Sequence, residues 1–286
     1  MGQHESTNAT PASAGEDKGT PGTVERVIRL LQFVAERGSF NVKDAVTALR
    51  LPTSTVHRLL LQLAQMGLVE RESYQGYRVS RELYRLSGLV MQRFDLHGVA
   101  HSHLVELVRE FDETCSFAVY LPSTHSGMIV ETVLTSHPLQ FRLEPFVSWP
   151  LTWGSLGRVM LAHLPEEDVR DALKGAMPSP ATGAPPPTVE SIAGELAQIR
   201  EVGYYVARNH NVAGAVGTSA AVLGAGGKLV GAIGMTIPVA RYREELQPEI
   251  SARIRHHAQM LSASLGYSHE SHAPAHGRHT AAPSGR

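Results

Sequence analysis

The chain of 286 residues has one cysteine, Cys115, which excludes an intramolecular disulfide framework and an all-cysteine zinc site. No apolar run reaches the roughly 18 residues of a membrane span. The polar start, residues 1–20, lacks the apolar core of a secretory signal, so no membrane partner is expected and the cytoplasm is the default compartment. Aromatic residues make up only 6% of the chain, with two tryptophans. Charged residues, at 19%, are too few for a wholly disordered polymer, and 42% hydrophobic content is enough for a core of one or two domains.

The net charge of −1 conceals an asymmetry. Between Gly22 and Asp95, eleven Lys and Arg face seven Asp and Glu, a net +4. Residues 1–21 carry −2, and the remainder −3. A basic block beside an acidic one points to two jobs, the first involving a polyanion. Residues 1–21 read as a disordered arm, and residues 268–286 as a solvated tail rich in histidine. The proline-rich stretch 177–187 reads as an internal loop, because a patterned segment follows it.

Residues 22–80 have the pattern of a small DNA-binding unit. Val24, Val27, Ile28, Leu31, Val34 and Ala35 follow helical spacing and stop at Gly38. A short helix with Ala45, Val46 and Leu49 inward comes next. Leu51-Pro52-Thr53-Ser54-Thr55 then opens a third helix, with Thr53 or Ser54 as its cap and Val56, Leu59, Leu60, Leu63 and Ala64 inward. Residues 68–71 and 77–80 read as two short strands around a tip at Gln75-Gly76. Three helices and a hairpin make a winged helix-turn-helix. Its third helix would enter the major groove of double-stranded DNA by its N-terminal end. That places Thr53, Ser54, Thr55, His57 and Arg58 at or near base edges, with Arg58 the residue suited to guanine, and Tyr74 and Arg78 of the hairpin on phosphates. A small helical domain used for protein contacts is the alternative.

Residues 81–96 read as a linker helix with Leu83, Leu86, Val90 and Phe94 in register, either a dimer seam or a face docked on its own domain. Beyond it, helices are expected over 99–111, 153–164, 189–202 and 241–265. Strands are expected over 117–121, 128–133, 139–142, 204–206, 217–223 and 229–237. Hairpin turns among them indicate an α+β domain over 97–267, an antiparallel sheet with flanking helices. Gly154-Ser155-Leu156-Gly157 lacks the first glycine of a G-x-S-x-G nucleophile turn, and Gly224-Ala225-Gly226-Gly227-Lys228 lacks phosphate-loop spacing. The paired histidines at 101/103 and 256/257 lack the i, i+4 spacing of helix metal ligands, so no metal, no cofactor and no enzymatic activity are expected. Cys115 reads as a buried thiol.

Thr53-Ser54-Thr55-Val56-His57-Arg58-Leu59-Leu60 with Gly67-Leu68-Val69 resembles the recognition helix of the IclR family of bacterial transcription regulators. Trp149-Pro150-Leu151-Thr152 with Ser155-Leu156-Gly157-Arg158, and the stretch 214–238, are similar to two blocks of that family's effector domain. The resemblance spans about residues 22–265. It implies an N-terminal winged helix-turn-helix, a GAF-like C-terminal domain, a homodimer that can pair into a dimer of dimers, a near-palindromic operator and a small-molecule effector. It also implies an effector site with helix-entry backbone at Ser155 and Leu156, walls at Phe141 and Trp149, further positions at Ala207, Gly217, Gly234 and Thr236, and Trp153 nearby. The chain departs from members that bind small oxo-acids. It has alanine or glycine where they have an acid near 207, a cysteine near 217 and a serine at 234. A roomier, less polar pocket follows, either for an aromatic or hydrophobic acid or with no ligand at all.

Overall fold

The computed structural model describes residues 22–72, 76–93 and 96–268. The 1–21 arm, Tyr74 with the tip residue Gln75, Phe94 of the linker stripe, and the tail beyond 268 lie outside them. The chain divides into two compact units, Met1–Arg93 and Phe94–Arg286.

In the first unit, α1 (Thr23–Arg37) is followed by β1 (Ser39–Asn41), α2 (Val42–Leu49), α3 (Thr53–Gln65), β2 (Val69–Arg71), β3 (Gly76–Val79) and α4 (Arg81–Arg93). Gly38, at φ 70°, ends α1. A capping box between Asn41 and Asp44 starts α2. Leu30, Phe33, Val34, Phe40, Ala45, Val56, Leu59, Leu60, Leu63 and Tyr77 form the core. β3 pairs with both β1 and β2, so the hairpin expected from the pattern is a three-stranded sheet.

Both α3 and α1 differ from what their sequence pattern predicts. Neither Thr53 nor Ser54 caps α3. Pro52 occupies the cap position, no side chain caps the helix there, and both hydroxyl residues fall inside its first turn. On α1 the buried face is Leu30, Phe33 and Val34, whereas Val24 and Ile28 are exposed. The helix is apolar around more than one side, and the sheet covers only one.

The second unit begins with α5 (Leu96–Phe111), β4 (Thr114–Leu121), β5 (Ser126–Val133), β6 (Ser148–Pro150), α6 (Ser155–Ala162) and α7 (Glu166–Leu173). It continues with α8 (Val189–Val202), β7 (Tyr205–Arg208), β8 (Ala215–Leu223), β9 (Leu229–Pro238) and α9 (Gln247–Ser264). The sheet is antiparallel, in the order β6-β5-β4-β9-β8-β7. Alternation along the strands sorts side chains to two faces. Cys115, Phe117, Ala220, Val222, Ile233, Met235 and Ile237 pack with α5 and α9. Ala118, Ile129 and Ala232 pack with α6, α7 and α8.

The strand expected over 139–142 does not form. Residues 134–147 run irregularly, held by contacts from outside the segment. The Asp112 carboxylate accepts the Ser136 N–H at 2.9 Å and the Ser136 hydroxyl at 2.7 Å. Arg241 donates to the Leu139 carbonyl at 2.8 Å, and the Phe146 N–H donates to the Ile129 carbonyl at 2.9 Å.

Candidate functional site

Two sites emerge, one in each unit. In the first, α2 and α3 are joined by a turn in which Arg50 adopts the left-handed conformation at φ 53°. Val56, Leu59, Leu60 and Leu63 anchor the back of α3 in the core. On its other side Thr53, Ser54, His57 and Arg58 are exposed, and Thr55 is half-buried. Because Pro52 starts the helix, the Thr53 and Ser54 hydroxyls are not used on the helix's own N–H groups. Arg58 has no ion pair among the described residues, so its guanidinium faces water with its donors free.

Arg78 is in a different state. It sits opposite Glu70 in the sheet register and donates to Glu70 Oε2 from Nε at 3.1 Å and from Nη2 at 2.9 Å. The Arg81 N–H donates to the other oxygen of Glu70 at 3.3 Å. These bonds hold the Glu70 carboxyl below the usual carboxylate range. The side chain expected on phosphate therefore has its charge balanced within the wing. Tyr74 lies outside the described residues.

The second site is a cavity of about 190 Å³ between α6 and the strands beneath it. Trp149, Trp153, Ser155, Leu156, Ala207, Gly217 and Thr236 all line it, seven of the nine positions singled out from the sequence. Register explains part of this: Ala207 pairs with Gly217 and Gly217 with Thr236, a row across three strands. On this face the central stretches of β8 and β9 carry small residues, Ala215, Gly217, Ser219 and Ala221, then Ala232, Gly234 and Thr236. Large side chains are absent where α6 and the cavity need room. Gly127 makes room in a similar way, because a Cβ there would meet the Trp149 ring at 2.5 Å.

The other two positions do not line the cavity. Phe141 belongs to the irregular 134–147 segment, which presents Leu143, Glu144 and Val147 to the cavity instead. Gly234 lies on the right face but under a pair of hydroxyls. Ser155 Oγ and Ser219 Oγ are 2.7 Å apart, and a Cβ on Gly234 would collide with the Ser219 hydroxyl. A Cβ on Gly217 would meet Ser155 Oγ at 2.6 Å. Two strand glycines thus form the seat for two buried serines, Ser155 at the start of α6 and Ser219 on β8. The partner of the Ser155 hydroxyl among the described residues is thus the hydroxyl of Ser219.

Residues 154–156 open α6, where N–H groups point outward without helical partners and a carboxylate is favoured. Three lining residues without a strand signal, His210, Asn211 and Val212, come from the turn between β7 and β8. Asn209 fixes that turn. It adopts φ 53°, and its side-chain oxygen accepts the Gly214 N–H at 2.8 Å. Burial and the nearby Arg158 charge push the His210 imidazole below its ordinary value. Cys115, on the far face, is buried, and burial pushes its thiol far up.

Comparison with known proteins covers both units. Residues 23–73 match the IclR helix-turn-helix domain, and residues 88–263 match the family described as bacterial transcriptional regulator IclR C-terminal. The chain is similar to the probable transcriptional regulator SauR of Cupriavidus necator, 29% identical over 219 residues, covering 76% of this chain and 86% of that one. It is also similar to the transcriptional repressor IclR of Escherichia coli, 25% identical over 246 residues, covering 85% and 90%. The structure of an IclR homologue from Microbacterium hydrocarbonoxydans complexed with 4-hydroxybenzoate superposes with a TM-score of 0.70 at 22% identity, covering 84% and 97%.

Proposed function

The chain belongs to the IclR family and is a transcription regulator with a helix-turn-helix DNA-binding domain and a C-terminal effector-binding domain; from that premise we propose how its residues do the work. The tip of α3, through Thr53, Ser54, Thr55, His57 and Arg58, reads the major groove. The observation that carries this is the two-sidedness of α3, buried along Val56, Leu59, Leu60 and Leu63 and open along Ser54, His57 and Arg58. Arg58 is free to bond O6 and N7 of a guanine together. The wing would add backbone contacts, with Arg78 released from Glu70 when a phosphate competes for it.

A second copy completes the reader. Val24 and Ile28 on α1 and Tyr84, Leu89 and Val90 on α4 are large apolar side chains left exposed in the first unit. Covering them in a homodimer would present two α3 tips to half-sites about 34–36 Å apart. A dimer of dimers extends the same scheme.

In the second unit the cavity takes the effector. Its carboxylate sits at the N–H groups of Ser155 and Leu156, and an apolar or aromatic body lies against Trp149 and Trp153. The ligand reported for the Microbacterium homologue supports an aromatic acid. The chain is read as a binder and not a catalyst, because the partner of the Ser155 hydroxyl among the described residues is another hydroxyl. No helix of the described residues is long and apolar enough to cross a membrane.

One experiment tests the whole reading. Genomic fragments are selected with the full chain, and their affinity is then measured against salt and against aromatic acids. We expect log affinity to fall steeply with log salt, and an aromatic acid to shift it. Binding that ignores salt would overturn the DNA reading. Tight binding of a glyoxylate-sized acid in preference to an aromatic one would overturn the effector reading.

A further inference from the structure

Behind the cavity wall lies a cluster of polar atoms that the carboxylate site does not use. Arg158, one turn into α6, is only 3% exposed. Its guanidinium carbon lies 5.7 Å from the Trp153 ring centroid. Its Nε approaches Glu195 Oε1 at 3.3 Å without hydrogen-bond geometry. The other Glu195 oxygen accepts the Tyr205 hydroxyl at 2.8 Å. The His210 ring, which lines the cavity, lies 6.1 Å from both the Trp153 and the Tyr205 rings.

Four buried atoms of these side chains have no hydrogen-bond partner among the described residues: Arg158 Nε and Nη1, Glu195 Oε1 and His210 Nδ1. Buried polar atoms are almost always hydrogen-bonded; Arg158 Nε and Glu195 Oε1 face each other as an ion pair, so the two atoms left over, Arg158 Nη1 and His210 Nδ1, point to a group that completes them. The chemistry of the orphans limits that group. A guanidinium Nη1 only donates, and the unprotonated nitrogen of a neutral imidazole only accepts. Burial and the Arg158 charge both favour the neutral imidazole at His210.

We propose that Arg158 and His210 form a second polar subsite of the effector cavity, which takes a hydroxyl group and so selects hydroxyl-bearing aromatic acids over unsubstituted ones. In this subsite the neutral His210 carries its proton on Nε2, and a hydroxyl accepts from Arg158 Nη1 and donates to His210 Nδ1, satisfying both. A carboxylate cannot donate, and a methyl group can do neither. Trp153 lies against both residues, and the hydroxyl reaches Arg158 when that ring, whose Nε1 donates to the Met177 carbonyl at 2.9 Å, turns aside. This inference rests on the reading that the cavity holds the effector.

The test is calorimetric. Benzoate and the three hydroxybenzoate isomers are titrated into the full chain at pH 7.5, as wild type, His210→Phe and Arg158→Lys. We expect at least one hydroxylated isomer to bind about tenfold or more tightly than benzoate. In His210→Phe, which keeps an aromatic ring against Trp153 and Tyr205, that ratio should fall close to one. Arg158→Lys keeps the charge beside Glu195 but removes Nη1, and the ratio should fall there too, which keeps the test decisive should one variant fold poorly. Benzoate binding as tightly as every isomer, or a ratio unchanged in both variants, overturns the hydroxyl subsite while the cavity reading stands. If none of the four acids binds, the cavity reading fails and takes the subsite with it.

Discussion

The two units place their charged side chains differently. In the first, ion pairs lie in water: Glu70–Arg78 with side chains 35% and 51% exposed, and Glu82–Arg85 with 39% and 58%. The second has solvated pairs too, such as Glu166–Arg170 at 73% and 54%, but only there, among the described residues, does an Arg–Glu pair bury one partner: Glu113–Arg241 and Arg158–Glu195 have one partner at 8% and 4% exposure. The difference follows from what each unit does. A surface that meets a polyanion needs cations that can exchange one partner for another, and exposed pairs contribute little to stability, so exchanging them costs little. A domain that recognises a small molecule needs a fixed cavity, and buried pairs are expensive to break, so they hold loops in place.

The largest expected effect comes from breaking the buried type. Arg241 binds both oxygens of Glu113, at 2.7 and 2.8 Å, and also holds the Leu139 carbonyl of the segment that lines the cavity. Glu113→Ala leaves that guanidinium without its counter-charge. We expect a loss of about 3 kcal/mol, the low end for breaking a buried pair because Arg241 is 24% exposed. Chemical denaturation followed by a probe in the second unit measures it. A loss under about 1 kcal/mol would put this pair in the exposed class and dissolve the contrast.

Arg58→Ala comes next, and it should act on DNA rather than on folding. The side chain is exposed and bonds nothing else among the described residues, so stability should change by less than about 0.5 kcal/mol. Affinity for the selected operator should fall by about 1–3 kcal/mol, with discrimination relaxed at one base pair. Unchanged affinity in an anisotropy titration would remove Arg58 from the reading face.

pH separates the units in a third way. Burial holds the imidazoles of His103, His163, His210 and His257 in the second unit below their ordinary value of 6.5. Their unfolded forms therefore take up protons first as pH falls. The stability tied to their neutral state is complete above about pH 6.5 and is lost as pH drops towards the folded values. Hydrogen exchange at pH 7.5 and 5.5 should show weakening in α5 and α9, where His103 Nδ1 and His257 Nδ1 meet at 3.0 Å. Among the described residues, the first unit's histidine, His57, is exposed, and its core should weaken less. Equal weakening in both units would count against burial as the cause.

What the sequence made readable follows the same divide between local and distant causes. α3 is legible because Pro52 starts it and its apolar period is unbroken. β8 and β9 are legible because Val216, Thr218, Ala220 and Val222 alternate with small residues. The row Ala207, Gly217, Thr236 follows once those strands pair. The 134–147 segment was not legible, because its shape is set by Asp112 and Arg241, 24 and 102 residues from the groups they hold. β1 has three residues and exists only as a partner for β3. α7 buries just Val169, too little for an apolar period to show. Which apolar side of α1 turns inward depends on what packs against it, and the helical period that Val24 and Ile28 share with Val34 does not record that.

The smallest stability effect tests the exposed type of pair and the wing together. Glu70→Gln keeps the size of the side chain and can still accept the Arg81 N–H, but it removes the charge that holds Arg78. Stability should barely change, because both partners are well solvated. DNA affinity should rise, since Arg78 no longer has to leave a carboxylate to reach a phosphate. If the contact forms in the variant and not in the wild type, the slope of log affinity against log salt should steepen by about 0.9. If the wild type already makes it, affinity rises with the slope unchanged, and Arg78→Gln lowers the slope by the same amount. A Glu70→Gln protein that binds no better, with an Arg78→Gln protein whose salt slope matches wild type, would mean that the pair is a brace of the wing and takes no part in holding DNA.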